Sequence, residues 1–171
     1  MVLIKIIDVI GYSGSGKTNF IMKAIKLFKS QLNYNISVIK NVKHHQIDEK
    51  GKDSQIFTEA GASYSIIQNF DKEMAIFLKV EEITFDKFIN WLHQGPFGID
   101  ILFTEGFRDF NNPTVLCLSS LDELSSQLTE HVKMISGIIC EKDIVDTRTT
   151  DLPIINIEEE FEKFLKIFNI V

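Results

Sequence analysis

The sequence predicts an α/β fold: a mostly parallel sheet flanked by helices, with an antiparallel hairpin added to it. Three observations point there. Residues 2–10 form an apolar run broken only by Lys5 and Asp8, which reads as a buried strand. It leads into Gly11-Tyr12-Ser13-Gly14-Ser15-Gly16-Lys17-Thr18, after which Phe20, Ile21, Ala24, Ile25, Phe28 and Leu32 recur at helical spacing. Asn33-Tyr34-Asn35 breaks that helix, and residues 36–39 read as a second strand. Together they make a β-α-β unit, whose right-handed crossover sets the strands parallel.

The glycine-rich stretch matches G-x-x-x-x-G-K-[ST] in the strand–turn–helix setting that gives this pattern its meaning. Glycines 11, 14 and 16 permit backbone turns that a side chain would block, so successive N–H groups can converge on an anion. The helix beginning near Lys17 adds unpaired N–H groups and the positive end of its dipole. Lys17 is placed to reach the β- and γ-phosphates of a nucleoside triphosphate, and the Thr18 hydroxyl to ligate Mg²⁺. The predicted class is therefore the P-loop NTPase fold.

Further elements follow in order. Residues 40–53 are polar and aperiodic and leave the carboxyl end of a strand, the edge where open α/β sheets hold ligands. A short helix over 54–60 ends at Gly61. Residues 63–68 and 74–78, joined by 69–73, read as the hairpin, an excursion at about 63–79 from a single domain spanning 1–171. Thr84 is the expected N-cap of a helix carrying Phe85, Phe88, Ile89 and Leu92, stopped by Gly95-Pro96. Residues 99–106 have the apolar content of a central strand, and 114–118 and 134–139 are expected to be strands as well. Asn156 with Glu159 resembles a capping box before a last helix that buries Phe161, Phe164, Leu165 and Phe168.

At 171 residues, 44% hydrophobic and 25% charged, the composition is that of a globular protein with a substantial core. No apolar run has the length of a membrane span, and the first strand leads directly into the glycine-rich turn rather than from a signal core, so a cytoplasmic location is expected. Cys117 and Cys140 sit in apolar runs without zinc-site spacing and read as reduced core residues. The net charge of −6 argues against broad nucleic-acid binding. Arg108 and Arg148 are the only arginines, which disfavours a small-molecule kinase with a guanidinium-rich lid.

A phosphate loop needs an acid near its metal, normally at the end of a neighbouring strand. Glu105, closing the run Ile101-Leu102-Phe103-Thr104, is the leading candidate; Asp100 lies toward the opposite end of that strand. Asp53, delivered by the polar segment, is a second possible metal-side carboxylate or, equally, a helix N-terminal acid. His44 and His45 are adjacent and point opposite ways on an extended chain, so they do not chelate one ion well. A contact from them to phosphate or to a second ligand stays open. Lys40, Lys43 and Lys52 give that segment a cationic character suited to an anionic ligand or to a solvated loop.

Three blocks in order resemble the molybdopterin-guanine dinucleotide biosynthesis protein B family, MobB. They are Gly11–Thr18 with its helix; Val38-Ile39-Lys40, His44-His45, Gly51-Lys52-Asp53-Ser54 and Ala60-Gly61-Ala62; and Ile101-Leu102-Phe103-Thr104-Glu105-Gly106-Phe107. The resemblance implies a GTP-binding protein with weak GTPase activity, acting beside the guanylyltransferase that attaches GMP to molybdopterin. It also implies a homodimer in which hairpin strands help form the interface. By position it assigns phosphate contacts to Gly11, Ser13, Gly14, Ser15, Gly16, Lys17, Thr18 and Asn19. It assigns the Mg²⁺ side to Thr18 and Glu105, and a switch-like acid to Asp53. With Lys17, Glu105 and Asp53 carry the implied hydrolysis. The guanine-reading Asn-Lys-x-Asp motif is absent, and Glu141-Lys142-Asp143 only imitates it, so guanine here follows from the family alone. A nucleotide-dependent, non-catalytic adaptor for the transferase is the alternative reading.

Overall fold

The computed structural model describes residues 4–42, 47–78, 84–141 and 150–170. These divide between two compact units: residues up to 41 with those from 96 onward, and residues 42–95. In chain order the elements are β1 (Lys5–Ile10), α1 (Lys17–Leu27), β2 (Ile36–Lys40), α2 (Asp53–Glu59), β3 (Ser65–Gln68), β4 (Met74–Phe77), α3 (Phe85–His93), β5 (Ile101–Glu105), β6 (Thr114–Cys117), α4 (Leu124–Gln127), β7 (Val132–Ser136) and α5 (Phe161–Ile167).

The first unit is organised by a five-stranded sheet in the order β2-β5-β1-β6-β7, parallel throughout. Every residue of β5 is buried, and only a central position covers both faces of such a strand. It therefore inserts between β1 and β2, and β2, with exposed Val38, takes the edge. Side-chain alternation then sorts the sheet into two faces. Ile7, Val9, Ile101, Phe103, Val115 and Cys117 pack under α1 and α5, where Phe20, Phe28, Phe161 and Phe164 fill the core. The Phe28 ring meets Phe161 edge-on with centroids 5.1 Å apart and lies tilted against Phe103 at 6.3 Å. The other face packs Ile10, Leu116, Leu118 and Ile135 against Leu121 and Leu124.

Asp8 points into that second face and is 1% exposed. Its carboxylate accepts from the Thr104 hydroxyl at 2.6 Å and from the Asn112 amide side chain at 3.2 Å and backbone at 3.3 Å. Burial nevertheless raises its pKa; the hydrogen bonds from Thr104 and Asn112, and the more distant His131, only partly oppose this. A carboxyl raised in the fold contributes most stability when protonated. That contribution is complete below the unfolded value of 3.8 and is lost as pH rises through the folded value. The wild type is therefore expected to lose stability relative to Asp8→Asn as pH climbs from 3.8. Parallel urea-denaturation profiles across that range contradict this.

Several elements differ from the sequence expectation. The strand expected over 134–139 stops at Ser136, because Gly137 turns at φ 96° and a 3-10 turn covers Ile138–Glu141. The Asn156–Glu159 pair closes a turn instead of starting the helix. Asn156 Oδ1 accepts from Glu158 N at 3.2 Å, while α5 begins at Phe161 without a side-chain cap. The first helix ends at Leu27 and continues as a π-helical turn over Phe28–Leu32, terminated by Asn33 at φ 53°. The short 3-10 turn Leu121–Glu123 and α4 have no counterpart in the sequence reading.

In the second unit, β3 and β4 form an antiparallel sheet of their own, with Ser65 opposite Phe77 and Gln68 opposite Met74. Lys72 at φ 65° makes its turn, and Asn69 Oδ1 accepts from Glu73 N at 2.9 Å. Thr84 caps α3 as expected, accepting from Lys87 N at 3.3 Å. The block Gly51-Lys52-Asp53-Ser54 is a helix entry. Gly51 takes φ 85°, Asp53 opens α2, and buried Ser54 donates to Asp48 Oδ1 at 2.9 Å.

Candidate functional site

β1 ends at Ile10, and the chain turns through Gly11, Gly14 and Gly16 at φ 141°, 78° and 92° into the first turn of α1. Gly16 is the N-cap residue in a left-handed conformation, without a side-chain cap, which leaves the first helical N–H groups open to an external acceptor. The loop is held from below. A Cβ on Gly11 would stand 2.1 Å from the Cys117 carbonyl oxygen and 2.6 Å from Ser15 Oγ. Ser15 is fully buried, and its hydroxyl has no hydrogen-bond partner among the described residues. The Ser15 carbonyl accepts from Ile138 N at 3.1 Å, strapping the loop to the turn after β7. Gly16 packs so closely on that turn that a Cβ would lie 3.0 Å from Ile138 N.

Lys17 folds back across the loop, its Nζ donating to the carbonyl oxygens of Gly11 at 3.0 Å and Tyr12 at 2.7 Å. Burial lowers its pKa, opposed chiefly by the charge of Glu105, while the like charges of Lys40 and Arg108 lower it further. Ser13 is exposed at the rim. Asn19 donates to Glu141 Oε1 at 3.4 Å beside a cavity of about 20 Å³ lined also by Lys23, Ser136, Gly137 and Asn156.

Alternation along β5 puts Glu105 on the same face as Ile101 and Phe103, the face that α1 covers. The parallel register sets Glu105 beside Val9 on one flank and Lys40 on the other. The carboxylate of this buried residue thus meets the start of α1, where the Thr18 hydroxyl donates to Oε1 at 3.0 Å or Oε2 at 3.1 Å. Lys40 Nζ lies 3.1 Å from Oε1 and 3.5 Å from Thr18 Oγ1. A hydroxyl and a carboxylate oxygen in contact are hard donors of the kind Mg²⁺ takes when phosphate oxygens and water complete its shell. The residues present fit such an ion. No group of three or more His, Cys, Asp or Glu side chains with metal-holding geometry occurs among the described residues.

Asp100 sits at the start of β5, where its carboxylate accepts from Asn35 N at 2.7 Å. Asp53 belongs to the second unit, exposed in the first turn of α2. Lys43, His44, His45, Lys142, Asp143 and Arg148 lie outside the described residues. Cys117 is buried beneath the loop, where burial pushes its thiol pKa up, and Cys140 is shifted the same way. Sequence reasoning missed the Ser136-Gly137 support and the contact of Lys40 with the acid. No local pattern signals the first, which joins positions far apart in the chain; the second depends on strand order.

The parallel sheet, the glycine loop between β1 and α1, and an acid at the end of the adjacent strand define a P-loop NTPase fold. Within that class the chain belongs to the molybdopterin guanine dinucleotide synthesis protein B family, MobB, whose sequence model matches residues 6–141. It is 33% identical over 115 residues to the molybdopterin-guanine dinucleotide biosynthesis adapter protein of Haemophilus influenzae, covering 66% of this chain and 62% of that one. A putative adapter protein of the same name from Methanocaldococcus jannaschii is 29% identical over 136 residues, covering 77% of this chain and 54% of that one. The chain thus spans little more than half the length of these curated relatives. A crystal structure of Bacillus subtilis MobB superposes with a TM-score of 0.70 at 22% identity, covering 95% of this chain and 96% of that one. The MobB homologue of Bacillus stearothermophilus gives 0.59 at 16%, covering 96% and 95%. No helix among the described residues is long and apolar enough to cross a membrane.

Proposed function

We propose that this protein binds GTP with Mg²⁺, hydrolyses it slowly, and serves molybdopterin guanine dinucleotide biosynthesis beside a molybdopterin guanylyltransferase. The observation that carries the reading is the Thr18–Glu105 contact at the mouth of the glycine loop. Backbone N–H groups of residues 13–19 and the Lys17 ammonium bind and orient the phosphates. Thr18 and Glu105 would hold the ion side, and the buried carboxylate would orient a water there by accepting a hydrogen bond from it. Mg²⁺, when bound, neutralises charge on the β- and γ-phosphates. Asp53 is the proposed switch-like acid of the second unit. Guanine, molybdopterin and the transferase are proposed from family membership.

Side-by-side calorimetry with GTP and ATP, with and without Mg²⁺, tests the reading. A clear Mg²⁺-dependent preference for GTP is expected; equal or ATP-favoured binding overturns the guanine assignment. Glu105→Gln is expected to reduce Mg²⁺-dependent phosphate release at least tenfold while changing nucleotide affinity less, since the amide keeps the shape and loses the charge. Unchanged hydrolysis removes Glu105 from the site.

The word adapter in the names of both relatives favours a second reading, in which bound nucleotide fixes a conformation that docks the transferase and turnover is incidental. Transferase binding that responds to a non-hydrolysable GTP analogue as it does to GTP supports it. We also propose a homodimer, to which the hairpin contributes exposed Ile66, Met74 and Ile76. Sedimentation that gives a monomer at micromolar concentration rejects it.

A further inference from the structure

We infer that Lys40 is a tethered cation at the candidate metal site, competing with a divalent ion for the Glu105 carboxylate and so setting how tightly that ion is held. The inference rests on the proposed metal role of Thr18 and Glu105. Its geometry is that of a cation between two ligand oxygens: Lys40 Nζ is 3.1 Å from Glu105 Oε1 and 3.5 Å from Thr18 Oγ1, while those two oxygens are 3.0 Å apart. The fold makes this arrangement repeatable. Lys40 and Glu105 are register partners on adjacent parallel strands, so their side chains leave the same face of the sheet. The pairing continues one residue further, with Asn41 N donating to the Glu105 carbonyl at 2.9 Å, which fixes the root of the lysine against the root of the acid.

The two partners are unequal in their exposure to water. The Glu105 side chain is 7% exposed and the Lys40 side chain 53%. A carboxylate so deeply set is costly to leave without a counter-charge, whereas a half-exposed ammonium on a flexible stem moves into water easily. A divalent ion coordinated to Glu105 Oε1 and Thr18 Oγ1 would meet the ammonium on those same two oxygens, where the two cations repel each other. Metal entry therefore displaces Lys40. The lysine neutralises the acid in the metal-free chain and weakens metal binding by the free energy of the ion pair. An ion pair of this partly exposed kind is worth up to about 1 kcal/mol, which is about fivefold in affinity. Lys40 is a positioning residue in this account. It acts through Glu105, and the chain passes from the first unit to the second just beyond it, after Asn41.

The test is Mn²⁺ binding to the full chain, read from the electron paramagnetic resonance signal of free Mn²⁺, alone and with guanylyl imidodiphosphate. Lys40→Met is expected to tighten Mn²⁺ binding about fivefold in the chain alone, and Lys40→Arg, which retains the charge, to leave it within twofold of wild type. Circular dichroism confirms that each variant is folded. Glu105→Gln separates this inference from the reading beneath it. If Glu105→Gln weakens Mn²⁺ binding but Lys40→Met leaves it unchanged or weaker, the metal site stands and the competition is overturned. If Glu105→Gln does not alter Mn²⁺ binding, both fall.

Discussion

Replacing Gly137 by alanine is expected to destabilise the protein by about 3 kcal/mol or more and to lower its melting temperature by roughly 10 °C. Two independent penalties combine. Gly137 sits at φ 96°, where an L side chain costs about 1–2 kcal/mol whatever the space available. The space is also absent: a Cβ there would lie 2.3 Å from the Ser15 carbonyl oxygen and 3.0 Å from both Cys117 Cβ and Leu118 N. Two of those three atoms are backbone and have no rotamer by which to yield. Gly51→Ala separates the two terms, since Gly51 has φ 85° and nothing within 4 Å of the added carbon. That variant is expected to lose about 1 kcal/mol. Because the Ser15 carbonyl belongs to the glycine loop, Gly137→Ala is also expected to weaken nucleotide binding in whatever fraction stays folded. Equal melting temperatures for Gly137→Ala and Gly51→Ala sink the argument.

The glycines of the loop and Gly137 beneath it show what a sequence conveys and what it withholds. Glycines 11, 14 and 16 are legible because their spacing, with Lys17 and Thr18, is a local pattern whose geometric demand is known in advance. Gly137 meets that loop across 122 residues of chain, since it supports Ser15, and no local pattern announces the contact. Glu105 stands between these cases. An apolar run ending in an acid signals a central strand with a carboxylate at its edge, and alternation from Phe103 says which face it takes. Its partner Lys40 was legible only as a charge near the end of a strand. That this charge lies on the acid depends on β5 inserting between β1 and β2, which is a property of strand order.

The boundaries that shifted did so where tertiary contacts outweigh local preference. Ile138 and Ile139 look like strand residues, yet the Ile138 N–H is drawn to the Ser15 carbonyl and the Ile139 N–H to the Leu118 carbonyl, so the ladder stops at Ser136. Asn156 and Glu159 have capping-box spacing. The Asn156 carbonyl already accepts from Glu159 N at 3.1 Å and Glu160 N at 2.9 Å, which closes a separate turn before the helix. The hairpin lies where the sequence places it, but among the described residues its two strands form a sheet of their own, and Ile66 and Ile76 are exposed within the second unit.

Lys17→Ala is expected to weaken GTP binding at least a hundredfold without lowering thermal stability. Among the described residues the Lys17 ammonium donates to the neutral carbonyl oxygens of Gly11 and Tyr12, and burial disfavours its charge more than the nearby Glu105 favours it. Removing it therefore deletes a desolvated cation whose contribution to folding is small or unfavourable. A phosphate chain reverses that balance. The ammonium exchanges two neutral acceptors for charged oxygens in a site of low dielectric, where charge-assisted hydrogen bonds are about twice as strong as neutral ones. Two such contacts, at about 1.5 kcal/mol each, correspond to roughly two orders of magnitude in affinity. Lys17→Arg is expected to recover little, because the planar fork cannot occupy a space shaped for a compact ammonium between two carbonyl groups. Calorimetry and thermal denaturation on the same preparations separate the effects. Wild-type GTP affinity in Lys17→Ala rejects the phosphate-loop assignment; a parallel fall in melting temperature shows instead that Lys17 supports the loop's own structure.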